Sequence, residues 1–154
     1  MALNINQFGL TSIQGQMDLS KNFQTVSCQV DTSSAGNLVA GQAMKMVDSA
    51  GGVPKLVECA AASDDVFGFI NYDIKSKTFA AGDRIEVSAS RGNVMYMTAS
   101  AAISRNAKVM VVISGSKVAT ATTGNMIVGR AYDKAVNVGD LIRVTIDLPG
   151  TLAP

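Results

Sequence analysis

Along this chain large apolar residues alternate with polar ones in short bursts, and four of the bursts open on one phrase: a turn residue, two variable residues, then two apolar residues flanking a third. The phrase reads Gly41-Gln-Ala-Met44-Lys-Met46, Gly82-Asp-Arg-Ile85-Glu-Val87, Asn106-Ala-Lys-Val109-Met-Val111 and Gly139-Asp-Leu-Ile142-Arg-Val144. Glycine and asparagine accept the positive φ of a tight turn, and a period of two sends successive side chains to opposite faces. Each phrase therefore predicts a turn launching a half-buried strand, with Met44/Met46, Ile85/Val87, Val109/Val111 and Ile142/Val144 facing the core. A looser echo relates Val66-Phe67-Gly68-Phe69-Ile70-Asn71-Tyr72-Asp73 to Ile127-Val128-Gly129-Arg130-Ala131-Tyr132-Asp133, and one of the phrases follows each copy.

From Phe23 onward no window of about a dozen residues keeps a 3.6-residue period. The pattern predicts strands at 23–30, 37–47, 53–60, 65–74, 83–90, 93–99, 107–114, 117–122, 125–133 and 140–148. Hairpins are signalled at Ile113 to Val118, where Gly115-Ser116 suits a two-residue turn, at Val87 to Tyr96 around Arg91-Gly92, and at Asp48 to Gly52. Ala60 to Asp65 reads as one helical turn or a loop. So many short strands in one chain argue for an all-β fold: a compact antiparallel sandwich, a jelly roll or a small barrel.

Residues 1–24 break this pattern, with asparagine and glutamine interleaving isolated apolar residues. Disordered tails are usually richer in charge and poorer in large apolar side chains, so the segment reads as an arm that orders on a partner rather than a frayed end. Ile5, Phe8, Leu10 and Ile13 are its candidate partner-interface residues. Twenty extended residues reach up to ~65 Å, enough to lie across a neighbouring subunit. The organisation expected is an extended N-terminal arm over 1–24 and a single β-domain over 25–154.

Composition sharpens the picture. Charged residues make up 16% of the 154 residues and the net charge is +1. Ordinary soluble domains carry roughly a quarter, and a surface so short of charge suits one that is covered in use. Cations are dispersed among apolar strand residues, which is no footprint for nucleic acid. Val109 to Ile113, the longest apolar strand-like run, is far short of the ~20 residues that span a bilayer. The start shows no secretory signal, so synthesis in a host cytoplasm and separate, reduced Cys28 and Cys59 are expected.

Histidine is absent, which removes imidazole-based triads and most zinc sites. Paired carboxylates could still serve a glycosidase-like reaction, with Asp64 and Asp65, or Asp83 and Asp140, as the candidates. Asp64 and Asp65 precede a strand, and Asp83 and Asp140 each follow a glycine, the place of a turn aspartate that bonds local backbone. Methionines at strand alternations read as packing residues. No cofactor and no metal are expected.

The stretch from Ala35 to Leu148 resembles the tailed-bacteriophage capsid cement, or decoration, proteins. The likeness lies in Ala35-Gly36-Asn-Leu38-Val-Ala-Gly41, in Val66-Phe67-Gly68-Phe69, in Ile127-Val128-Gly129-Arg130-Ala131 and in Val138-Gly139-Asp140-Leu141-Ile142-Arg143-Val144. The resemblance implies a non-enzymatic virion protein that binds the outer surface of an assembled shell as a dimer or trimer and cements neighbouring subunits of the phage major capsid protein. The long Asn/Gln-rich N-terminal segment departs from that family. Alternatives are a tail, baseplate or fibre component, or a small β-barrel enzyme or ligand-binding domain; copurification with shells separates them.

Overall fold

The computed structural model of the protein describes residues 14–15, 24–73, 78–113 and 116–154. Within them ten strands run in chain order: β1 Val26–Val30, β2 Ala43–Met46, β3 Lys55–Glu58, β4 Gly68–Ile70, β5 Arg84–Ser88, β6 Val94–Ala99, β7 Lys108–Val112, β8 Lys117–Thr120, β9 Met126–Ala131 and β10 Leu141–Leu152. Nine lie inside the expected segments. β10 runs on past Pro149, because the ladder to β9 shifts register between Ile146 and Thr151 and so carries the strand past a residue that cannot donate.

Of the three all-β architectures expected, the chain adopts the barrel, and adopts it twice. One closed barrel has the strand order β1-β3-β2-β4-β5 and the other β6-β8-β7-β9-β10. The two orders are the same when the chain is read in halves. Each barrel is antiparallel except for one parallel pair, β1 with β3 and β6 with β8. The registers agree as well: Met44 opposes Gly68 as Val109 opposes Gly129, and Cys28 opposes Ile85 as Met97 opposes Ile142. Even the lone bridge Leu38 to Phe79 recurs as Ile103 to Ala135.

The repeated phrases acquire a structural meaning here, since they launch β2 and β5 of the first barrel and β7 and β10 of the second. Their turn residues all hold positive φ: 82° at Gly41, 89° at Gly82, 65° at Asn106 and 91° at Gly139. The looser echo aligns through Gly68 and Gly129 at one constant offset, which leaves its two Tyr-Asp ends a residue out of step. Asn71 N–H donates to Glu86 O where Tyr132 N–H donates to Arg143 O, so Tyr132 corresponds to Asn71 and not to Tyr72.

Seven of the eight residues expected to face the core are buried, but Met46 is 53% exposed. It is the last residue of β2, at the barrel rim, and its side chain borders a groove with Val66, Phe67 and Leu148. The hairpins at Asp48 to Gly52 and at Ile113 to Val118 join antiparallel partners, β2 with β3 and β7 with β8, although Gly115 of the second turn lies outside the described residues. The hairpin expected between Val87 and Tyr96 does not form. Its turn is present, yet β5 pairs within the first barrel and β6 within the second. Turn chemistry fixes a reversal without choosing the partner strand.

The first barrel is filled by Cys28, Val30, Leu38, Met44, Leu56, Ile70, Ile85 and Val87. Ala43, Cys59, Val66 and Phe69, from the same barrel, instead join the apolar cluster of the second, so the barrels share a packed seam. Met126 N–H donates to Ala62 O across that seam at 2.8 Å. At the crossover, Asn93 is 3% exposed and its amide donates to Gln24 O at 2.7 Å and to the Ser88 hydroxyl. A buried amide satisfied on both sides makes this junction stiff.

Candidate interaction surface

Two residues of the N-terminal segment sit between the barrels. Gly15 is buried; its N–H donates to Tyr96 O at 2.7 Å in β6, and its carbonyl accepts from Tyr72 N–H at 3.0 Å in the first barrel. The Gln14 amide donates to Ala40 O at 3.1 Å and to Ser116 O at 2.7 Å, and its oxygen accepts from the Thr98 hydroxyl. Gly15 holds φ at 77°, and a Cβ there would stand 2.5 Å from the Gly41 nitrogen. No side chain fits. The expected interface residues Ile5, Phe8, Leu10 and Ile13 lie outside the described residues, and Gln14 marks where that segment meets the barrels.

Of the four carboxylates that could serve a glycosidase-like reaction, Asp64, Asp83 and Asp140 are engaged by turns. Asp64 accepts from Ala60 N–H at 2.7 Å and Ala61 N–H at 3.0 Å, and pairs with Lys45 at 3.0 Å. Burial pushes its carboxyl up, but the Lys45 ammonium and those amides outweigh burial and hold it below the ordinary range. Asp83 accepts from Ala80 N–H at 2.8 Å, and Asp140 from Val136 N–H at 2.7 Å and Asn137 N–H at 2.9 Å. The amides of Asn137 and Val136 keep Asp140 below the usual carboxylate range. No group of three or more histidine, cysteine, aspartate or glutamate side chains is placed to hold a metal among the described residues, and no helix there is long and apolar enough to cross a membrane.

Cys28 and Cys59 are buried in different clusters and unpaired. Burial, helped by Glu86, pushes the Cys28 thiol up to about 11; burial and the Asp64 carboxylate push Cys59 up to about 12. Neither is a thiolate at neutral pH, so both act as small apolar core residues.

What the surface offers is contact. The loop between β9 and β10 holds Val136 at 62% exposure and Val138 at 67%. It is braced on three sides. Asp140 binds two of its amides, Ala135 bridges Ile103 through two backbone hydrogen bonds, and Asp133 takes a two-point ion pair from Arg143 at 2.8 Å for each contact. The same guanidinium lies 4.5 Å over the Tyr132 ring. In the sequence the loop is marked only by Val136 and Val138, two apolar residues alternating just ahead of the Gly139-Asp140 turn.

Beside the loop, β7 and β9 carry exposed cations. Lys108 directly opposes Arg130, Arg105 lies near enough to Asp133 to lower its pKa, and Lys134 adjoins the bridge at Ala135. By register, the counterparts of Lys108 and Arg130 in the first barrel are Ala43 and Phe69, both buried in the seam. Matching positions are thus apolar and covered in one barrel, basic and open in the other.

Known proteins frame these features. The crystal structure of the N base of head fibre gp8.5 of bacteriophage phi29 is similar in fold, with a TM-score of 0.52 and 15% identity over 85% of this chain and 100% of that one. No curated protein matches the sequence. Residues 4–146 match the family described as XM1 gp53 minor capsid protein, a span that takes in the first barrel, the second up to the middle of β10, and most of the N-terminal segment. The chain belongs to the XM1 gp53 minor capsid protein family, and it is a structural protein of a bacteriophage.

Proposed function

We propose that the protein binds the outer surface of an assembled phage shell and cements neighbouring major capsid subunits, acting as a dimer or trimer, without catalysis or cofactor. The family match over residues 4–146 carries this reading. The N-terminal segment through Ile5, Phe8, Leu10 and Ile13 is the attachment element, and 25–154 the domain that it tethers. Gln14 and Gly15, clasped between the barrels, supply a rigid root for it. Apolar surface removed from water contributes ~25 cal/mol per Å², less the cost of association, and repetition over a lattice multiplies a modest gain at each site.

The test is addition of purified protein to shells that lack it, with occupancy read by sedimentation and position by electron cryomicroscopy. Deleting residues 2–13 leaves the clasp in place. Cementing requires that the full chain sit across subunit boundaries on the outside and delay thermal rupture, and that the truncated chain lose occupancy. Undiminished occupancy by the truncated chain moves attachment to the barrels. The likeness to a head-fibre base favours a second reading, in which the barrels are the base of a projecting fibre. Density extending outward from the barrels at single sites would support that reading over cementing.

A further inference from the structure

We propose that the second barrel carries its own docking surface, made of the valine-tipped loop at Val136 and Val138 and the basic stripe of Arg105, Lys108, Arg130 and Lys134, and that its occupant is an apolar pocket edged with carboxylates on another protein of the particle. This deepens the shell-binding reading and rests on it.

Three observations point the same way. The valines are exposed on a loop whose backbone is held by Asp140, by the Ile103 bridge and by the ion pair of Asp133 with Arg143. A braced loop presents apolar side chains at little cost in ordering on binding. The corresponding turn of the first barrel carries only alanines, Ala80 and Ala81, before Gly82-Asp83. The enlargement is therefore particular to this end of the molecule.

The stripe is equally particular. Like charges directly opposed across a ladder are unfavourable, yet Lys108 faces Arg130 there. Residues 24–92 hold six cations and eight carboxylates, whereas residues 93–154 hold six cations and three carboxylates. Of those three, Asp133 is held by Arg143, Asp140 by turn amides and Asp147 by Arg91. The excess cations remain for a partner. Protruding valines favour a protein partner over a nucleic acid, which offers the loop no apolar pocket.

The experiment compares wild type, Val136→Ser with Val138→Ser, and a charge variant with Arg105, Lys108, Arg130 and Lys134 replaced by Gln, for binding to shells over a range of salt. Val138→Ser alone serves as a second probe should the double variant melt early. The valine variants are expected to bind about tenfold more weakly per valine, with unchanged melting. The charge variant is expected to lose most of the salt dependence of binding. If wild type binds shells and both variants match it, this surface is not the docking site. If wild type itself does not bind, the shell-binding reading falls with it. Retention of duplex DNA that needs the cations and ignores the valines would overturn the assignment to a protein partner.

Discussion

A Cβ built on Gly129 would lie 2.3 Å from the carbonyl oxygen of Thr145 on the adjacent strand. Gly68 stands in the same relation to Ser88, at 2.8 Å from the carbonyl oxygen and 2.4 Å from a Val87 methyl. Both glycines sit where the fourth strand of a barrel meets the fifth, and only a missing side chain lets the ring close so tightly. Gly129→Ala and Gly68→Ala are each expected to lower stability by about 1–3 kcal/mol, as overpacking does. Urea unfolding measures it; a neutral result at either position would mean that the strands stand farther apart.

The clasp between the barrels is expected to be separable from the barrels themselves. Gln14→Ala removes the bonds to Ala40, Ser116 and Thr98 while leaving every strand pair in place. Amide hydrogen exchange should then quicken at Gly15 and Tyr72, which are bonded across the clasp, and stay slow at core positions such as Val87 and Val144. Uniform quickening throughout would show that the clasp supports the whole fold.

Met44 and Met46 are one strand repeat apart, yet the first is 0% exposed and the second 53%. Met44→Asp is expected to abolish soluble folding, since an uncompensated buried charge costs several kcal/mol. Met46→Asp should leave the circular dichroism spectrum and the melting point nearly unchanged. Equal damage from both would return Met46 to the interior.

Acid should loosen the loop that carries the valines. The Arg143 guanidinium beside Asp133 holds its carboxyl below the usual range. A carboxyl depressed in the folded state contributes stability that is present above the unfolded value, near pH 4, and is lost as pH falls through the folded value. Asp133→Asn should therefore destabilise the protein at neutral pH and flatten its loss of stability below about pH 4. Thermal melts from pH 7 to pH 2 check this; parallel curves for variant and wild type would deny the pair that role.

Much of the fold could be read from the chain because its signals are local. Turn glycines, Asn106 and period-two alternation place ten strands and four left-handed turns. Apart from the hairpin pairs β2 with β3 and β7 with β8, the partner of each strand was not legible. The turn at Arg91-Gly92 has the chemistry of a hairpin, yet it joins two barrels, since nothing within a few residues tells β6 to leave β5. Met46 fits the alternation but not the rim. The duplication lay open in the repeated phrases, though its import depends on hydrogen bonds between residues far apart in sequence. Of the candidate surface, the aspartates were legible as turn residues. Gln14 and Gly15 gave no sign of their role, because a glutamine's partners are set by the backbone around it.

Every strand finds its neighbours inside its own half of the chain, so the first barrel can close its ring as soon as residue 88 has left the ribosome. It would then show Ala43, Cys59, Val66 and Phe69 to water until the second half is made. Folding in that order gives the nascent chain an early, sequestered hydrogen-bond ladder together with a brief sticky face. The second barrel, born beside that face, is the first apolar surface to reach it.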